Sequence, residues 1–191
     1  MTDCNAPEAI VPYQIHVSSK YLELTKRKLQ LTRLPHDLSF PSGDEWDWGT
    51  PKSKVAPLLD FWLESYVWRD QESWLNTILP QQRTKIQPAA PHPSLWTHFV
   101  HKRSKRPRAI PLLYCHSWPG GVLETSRIID ALTDPGDDEQ AFHVVAPSIP
   151  GFGFSEADPN NQIGMRTVAD IFNQLMLRLG YPCYVAHGSD L

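Results

Sequence analysis

Ile110-Pro111-Leu112-Leu113-Tyr114-Cys115 is an apolar run that stops abruptly at His116-Ser117-Trp118-Pro119-Gly120-Gly121. A short apolar run bounded by turn residues reads as a buried strand. Val122 to Leu132 then carries a helical pattern, and the same sentence is written again downstream. Phe142 to Ala146 reads as a strand. A Pro- and Gly-rich turn, Pro147 to Ser155, follows it. Val168, Ile171, Phe172, Leu175, Met176 and Leu179 then make a one-sided helical stripe, stopped by Gly180 and Pro182. Cys183 to Ala186 is a third apolar strand. Strand, helix, strand, helix, strand with apolar strands predicts an α/β architecture, a parallel sheet covered by helices and wound right-handed.

Working outward, the N-terminal half has a different texture. Ser18 to Thr32 reads as a helix stopped before Pro35. Pro41 to Trp48 mixes turn residues with Trp46 and Trp48 and is expected to be a loop pinned by its aromatics. Thr50 as N-cap and Pro51 at the first helical position open a second helix, with Val55, Leu58, Leu59, Trp62, Leu63 and Tyr66 on one face. A third helix is expected over Asp70 to Leu79, burying Trp74, Leu75 and Ile78 before Pro80 ends it. Thr84 to Gln87 and Leu95 to Lys102 read as two strands joined by the stiff loop Pro88 to Pro93. The basic run Lys102 to Arg108 reads as a solvated turn rather than a nucleic-acid patch.

Composition narrows the function. The chain has 191 residues, 41% apolar and 20% charged, with a net charge of -3. Those proportions belong to a globular chain, and the charge gives no reason to expect nucleic acid. Cys4, Cys115 and Cys183 are three, widely spaced, with no CxxC, so no disulfide framework and no zinc site is indicated. No apolar run approaches the ~20 residues of a membrane span, Met1 to Ile15 does not read as a secretory signal, and Ser189-Asp190-Leu191 lacks the basic middle residue of a peroxisomal ending. A reducing, cytoplasmic setting is the expectation.

Three segments look chemical, and all lie just past the C-terminal ends of expected strands, where open α/β sheets hold their ligands. The first is His116 to Gly121, a turn able to aim backbone N–H groups at a developing oxyanion, or simply to start a helix. The second is Pro147 to Ser155, which has G-x-G but neither a third glycine nor a Lys-Ser/Thr, so nucleotide binding is not indicated. The third is His187-Gly188-Ser189-Asp190-Leu191. A nucleophile elbow needs a small residue two positions before its reactive residue. Gly188 satisfies that for Asp190, whereas Ser189 would have the bulky His187 there, which disfavours a serine esterase.

Taken in order, these segments resemble the microsomal-type epoxide hydrolases of the α/β-hydrolase fold. The resemblance rests on Leu31-Thr32-Arg33-Leu34-Pro35, Trp46-Asp47-Trp48-Gly49-Thr50-Pro51, Trp68-Arg69-Asp70-Gln71-Glu72, Gln82-Arg83-Thr84-Lys85-Ile86, His98-Phe99-Val100-His101 and the three turns above. It implies a family N-terminal region over 1–105 and a partial α/β-hydrolase sheet over 106–191, a five-strand mixed sheet in the order 1-2-4-3-5. The last three strands would be parallel, the final one lying at an exposed edge, after an all-helical N-terminal segment. It implies Asp190 as the nucleophile that opens an epoxide and forms an ester, with the backbone N–H groups of Trp118 and Leu191 as the oxyanion hole, and no cofactor or metal. Two departures stand out. Ser117 occupies a position the family gives to glycine, where a side chain would oppose a positive φ. The family's lid tyrosines, acid and catalytic His follow the nucleophile and have no counterpart within these 191 residues, while His116 and His187 match structural positions. The expectation is therefore a small-molecule epoxide as substrate but a chain catalytically incomplete by itself, prone to self-association or reliant on a complementing chain. The alternative is a non-catalytic binding or scaffold protein derived from the same family.

Overall fold

A computed structural model describes residues 9–36, 45–47 and 49–189. The chain divides into two compact units, Ile15–Ser73, and Met1–Gln14 together with Trp74–Leu191. The strands are β1 (Val11–Pro12), β2 (Gln81–Ile86), β3 (Leu95–Lys102), β4 (Ile110–Cys115), β5 (Phe142–Pro147) and β6 (Val185–Gly188). The helices are α1 (Ser19–Gln30), α2 (Lys52–Glu64), α3 (Trp68–Ile78), α4 (Ile129–Thr133) and α5 (Met165–Arg178).

All six strands join one sheet in the order β1-β2-β3-β5-β4-β6. Without β1 this is the expected 1-2-4-3-5 order, with β5, β4 and β6 parallel and β6 at the edge. The strand β1 corrects the expectation of an all-helical N-terminal segment. Val11 pairs with Arg83, Pro12 with Gln82, and the Tyr13 N–H donates to the Gln81 carbonyl at 3.0 Å. A proline has no N–H to give a ladder, so a two-residue edge is where it fits. The core lies between the sheet and α5. Ile86, Leu95, Phe99, Leu113 and Val145 from the strands meet Val168, Ile171, Phe172, Leu175 and Met176 from the helix. The stripe read from the sequence is the buried face of α5. Gly180, at φ 84°, reverses the chain after it, while the Tyr181 N–H bonds back to the Met176 carbonyl. Only glycine enters that conformation freely. Leaving the helix this way uses Tyr181 to Tyr184, so the last strand begins at Val185, two residues later than expected.

The helix expected over Val122 to Leu132 is broken. Val122–Arg127 is a 3-10 turn, and α4 starts only at Ile129. Thr125 is the reason: its hydroxyl donates to the Val122 carbonyl and its own carbonyl accepts from Ile128, bonds that compete with the α pattern. The basic run is neutralised locally, Arg106 pairing with Asp134 and Asp137, and Lys102 with Asp130.

The helical unit follows a different plan. Neither α1 nor α2 has a buried residue. The stripe on α2 exists, but Leu58 is 67% exposed and Trp62 50% exposed. Pro51 itself is the N-cap of α2, one place later than expected. Periodicity marks a face without saying what covers it. In place of a dry core the unit has a polar knot. Glu72 accepts from the Val17 N–H at 2.6 Å, from the Trp68 indole N–H at 3.1 Å and from Arg69, whose Nη2 also donates to the Val17 carbonyl. These bonds, the Val17 N–H above all, outweigh burial and hold the Glu72 carboxyl at about 2. Beside the knot an open apolar recess of about 480 Å³ is lined by Val17, Leu22, Leu58, Phe61, Trp62 and Tyr66. Further along α3, Leu75 is buried as expected, but Trp74 is 45% exposed. The loop expected over Pro41 to Trp48 lies mostly outside the described residues.

Candidate active site

The three parallel strands end level with one another. Cys115 is paired with Gly188, and Leu113 with Val145, so β4, β5 and β6 deliver their turns side by side at one end of the sheet. Neighbouring strands lie only ~4.8 Å apart, so His116, just past Cys115, and Ser189, just past Gly188, leave the sheet close together. Gly188 suits that proximity, since a Cβ there would sit 3.5 Å from the Cys115 Cβ. Asp190 and Leu191, the residues the resemblance makes nucleophile and oxyanion donor, lie outside the described residues. Ser189, just before them, is exposed.

Trp118, the other oxyanion donor expected, heads the turn after β4. Its side chain is 60% exposed and its N–H donates to no acceptor among the described residues. A free, fixed N–H is what an oxyanion site requires. The fixing comes from His116, which is buried. Its Nδ1 lies 2.9 Å from the Ser117 carbonyl oxygen, and its Nε2 accepts from the Ile149 N–H at 3.1 Å. The second bond requires a bare Nε2, so the proton sits on Nδ1 and is donated to Ser117. The Ser117 carbonyl and the Trp118 N–H share one peptide plane and point opposite ways. Holding the carbonyl therefore aims the N–H. His116 is structural, as its family position implies. Among the described residues His187 meets no acid or base and stacks over the Tyr114 ring with 5.3 Å between centroids.

Ser117 is accommodated without the strain the sequence suggested. No described non-glycine residue has a positive φ, and the Ser117 hydroxyl donates to Glu124 Oε1 at 2.7 Å. The same oxygen accepts from the Gly121 N–H at 3.0 Å. Burial pushes the Glu124 carboxyl up, but these hydrogen bonds outweigh it and leave it below the ordinary range. Nearby, burial raises the Cys115 thiol, so it is not an activated nucleophile.

The turn after β5 is held by histidines as well. His98, fully buried on β3, takes Ser148 on one ring nitrogen at 2.9 Å and Gln81 on the other at 3.2 Å. Burial lowers it to about 4. Gly153, at φ 57°, lets the backbone pass Ser148, whose Oγ would lie 3.1 Å from any Cβ. Farther along, His92 Nδ1 meets Asp158 Oδ2 at 2.7 Å, and Asp158 also accepts from the Asn160 and Asn161 N–H groups, which hold its carboxyl at about 2. Among the described residues no group of three or more His, Cys, Asp or Glu side chains is gathered to hold a metal. No helix among them is long and apolar enough to cross a membrane.

Sequence reasoning missed Glu124, His98 and Ser148. Glu124 had a signal, three residues after Gly121, the spacing of an acid that reaches back to a helix start.

A mixed sheet whose parallel strands end level, with helices against it, defines a chain of the α/β-hydrolase fold. Comparison with known proteins agrees. The family model described as alpha/beta hydrolase fold matches residues 110–191, and the one described as epoxide hydrolase N terminus matches residues 10–125. The chain belongs to the epoxide hydrolase family. It is 34% identical over 190 residues to juvenile hormone epoxide hydrolase 1 of Ctenocephalides felis, covering 97% of this chain and 39% of that protein. It is 34% identical over 191 residues to epoxide hydrolase 1 of Sus scrofa, covering 96% of this chain and 40% of that protein. The crystal structure of juvenile hormone epoxide hydrolase from the silkworm Bombyx mori superimposes with a TM-score of 0.81 at 32% identity, over 95% of this chain and 47% of that one. The chain thus spans about two fifths of the length of the curated relatives it matches.

Proposed function

We propose that this chain carries the nucleophile half of an epoxide hydrolase, an enzyme that adds water to an epoxide to give a vicinal diol. In this reading an Asp190 carboxylate oxygen attacks an epoxide carbon. A C–O ester bond forms, the ring C–O bond breaks, and the ring oxygen takes a proton to become a hydroxyl. Water then adds to the acyl carbon of the ester and gives one proton to a base. The tetrahedral oxyanion sits on the N–H groups of Trp118 and Leu191. Its collapse expels the diol oxygen, which is protonated as it leaves, and regenerates the carboxylate.

The observation that carries this reading is the Trp118 N–H, without an acceptor among the described residues and aimed by His116, in the turn after Cys115, the residue paired with Gly188, two before Asp190. The substrate is a small lipophilic epoxide, met in a biosynthetic or detoxifying pathway in the cytoplasm. The ring-opening donors, the acid and the water-activating His belong to family segments that follow the nucleophile. The segment 1–191 tested by itself is therefore expected to turn over no epoxide. The family N-terminal region occupies 1–105 and the hydrolase part 106–191. A second reading, a non-catalytic docking protein, is favoured by one observation, the half-exposed Leu58, Phe61 and Trp62 around the apolar recess.

The test is to express residues 1–191, incubate them with styrene-like and fatty-acid epoxides, and measure diol by mass spectrometry. No turnover is expected. Multiple turnovers abolished by Asp190→Ala would overturn the incompleteness. Binding of a partner protein unaffected by Asp190→Ala, with no reaction of Asp190 toward any epoxide, would favour the docking protein.

A further inference from the structure

The turn after β4 is wrapped around one carboxylate. Glu124 Oε1 accepts from the Ser117 hydroxyl at 2.7 Å and from the Gly121 N–H at 3.0 Å, and Oε2 faces the Ser117 N–H at 3.5 Å. Ser117 and Gly121 bracket Trp118, Pro119 and Gly120, so both ends of the exposed three-residue tip are tied to the same side chain. Gly120 closes the arrangement from inside. A Cβ there would fall on Glu124 Oε1 and 2.6 Å from the Ser117 Oγ, with no room for either. The carboxylate therefore occupies the space that a side chain at 120 would need.

We propose that Glu124 is a positioning residue for the Trp118 oxyanion donor, and that Ser117 is its hook. The proposal rests on the reading of Trp118 as an oxyanion donor and deepens it. His116 fixes one side of the Ser117–Trp118 peptide through the carbonyl. Glu124 fixes Ser117 at the start of the tip and Gly121 at its far end. With both in place rotation of the peptide plane is restricted, and the N–H keeps its aim while the indole stays in solvent. Ser117 matters because it adds a hydrogen bond that a glycine at this position lacks. Burial makes such a charge-assisted contact stronger than its exposed equivalent.

The test compares the full chain with Ser117→Gly, Glu124→Gln and Glu124→Ala, using two readouts. The first is the backbone order of Trp118, Gly120 and Gly121 by ¹⁵N relaxation, which needs no activity. Wild type and Glu124→Gln, which keeps an acceptor oxygen, are expected to be rigid, with order parameters near ~0.85. Glu124→Ala is expected below ~0.6 at these residues, and Ser117→Gly in between, with β4 and β5 unchanged. The second readout is the lifetime of an Asp190 ester formed with styrene oxide, released by hydroxide at pH 9 to 10 so that no protein base is needed. Hydroxide adds to the acyl carbon, and the diol leaves with a proton from water. Glu124→Ala is expected to slow release by roughly 10- to 100-fold, with Glu124→Gln near wild type. Equal order in all four proteins overturns the proposal. Loss of order with unchanged ester lifetime also overturns it, leaving Glu124 merely structural. Absence of any ester in wild type sinks the nucleophile reading instead, and the relaxation data then decide the clamp by themselves.

Discussion

The two units solve the same problem by opposite means. The sheet unit buries Phe99, Val100, Val144, Val145, Ile171 and Leu175 completely, and every one lies on an element contacted by segments far away in sequence. The helical unit places nothing fully inside α1 or α2 and leaves Leu58, Phe61 and Trp62 half in solvent. Its order is concentrated in one polar residue, Glu72, which ties Val17 to Trp68 and Arg69. One unit is stabilised by area removed from water, the other by a few hydrogen bonds to a charge. They should therefore fail differently.

The largest expected effect is in the sheet unit. Phe99→Ala removes a fully buried ring from the core and should cost about 3 to 5 kcal/mol, measured by urea unfolding of the chain. A loss below 1 kcal/mol would mean that the sheet core is not packed as described. Next is Glu72→Ala. It strands the Val17 N–H and leaves the Arg69 charge without its carboxylate, for about 3 kcal/mol felt locally. Amide exchange should accelerate across α1 and the start of α3 and stay unchanged in β3 and β5. Equal acceleration in both units would abolish the distinction between them.

Acid separates them further. Burial holds His98 and His101 at about 4 in the folded chain, against 6.5 unfolded. The unfolded state thus takes up protons first. Stability from these two residues is complete above pH 6.5 and is lost as pH falls toward 4, with roughly 3 kcal/mol at stake for fully buried His98. Glu72 is depressed instead from 4.5 to about 2, so its contribution survives above pH 4.5 and disappears only as pH falls toward 2. The sheet unit should weaken first on acidification, and His98→Gln should flatten the upper part of its pH profile. A helical unit that melts first, near pH 6, would contradict this order. The smallest effect is at the exposed stripe: Leu58→Ser or Trp62→Ser should change stability by less than about 0.5 kcal/mol. A larger loss would show that the recess is covered.

The same contrast explains what the sequence disclosed. The alternation from Ile110 to Leu179 was legible because each apolar run has one partner surface, and α5 buries the stripe its spacing marks. The spacing on α2 is as regular, yet its face is half exposed, because period records which residues share a side and not what lies against it. The strand β1 was hidden for the reason that two residues carry no period. At the candidate site, the turns after β4 and β5 were readable from chain order, while the roles given to Trp118 and Asp190 came from resemblance and remain proposals. His98 and His116 were not readable, because their roles depend on Ser148 and Ile149 arriving from the turn after β5, whereas Glu124 was marked locally by its spacing from Gly121. Ser117 looked like a strained replacement for glycine and proves to be a hydrogen-bond donor with an ordinary φ.

The proposed function stands or falls on Asp190 acting as the nucleophile. The direct measurement is peptide mapping by mass spectrometry after prolonged exposure of the chain to styrene oxide. The account predicts one dominant ester, on Asp190, formed at least about tenfold faster than on any other carboxylate and absent in Asp190→Asn. Esters spread evenly over exposed carboxylates such as Asp130 and Asp137, with Asp190 no faster than they are, would contradict it.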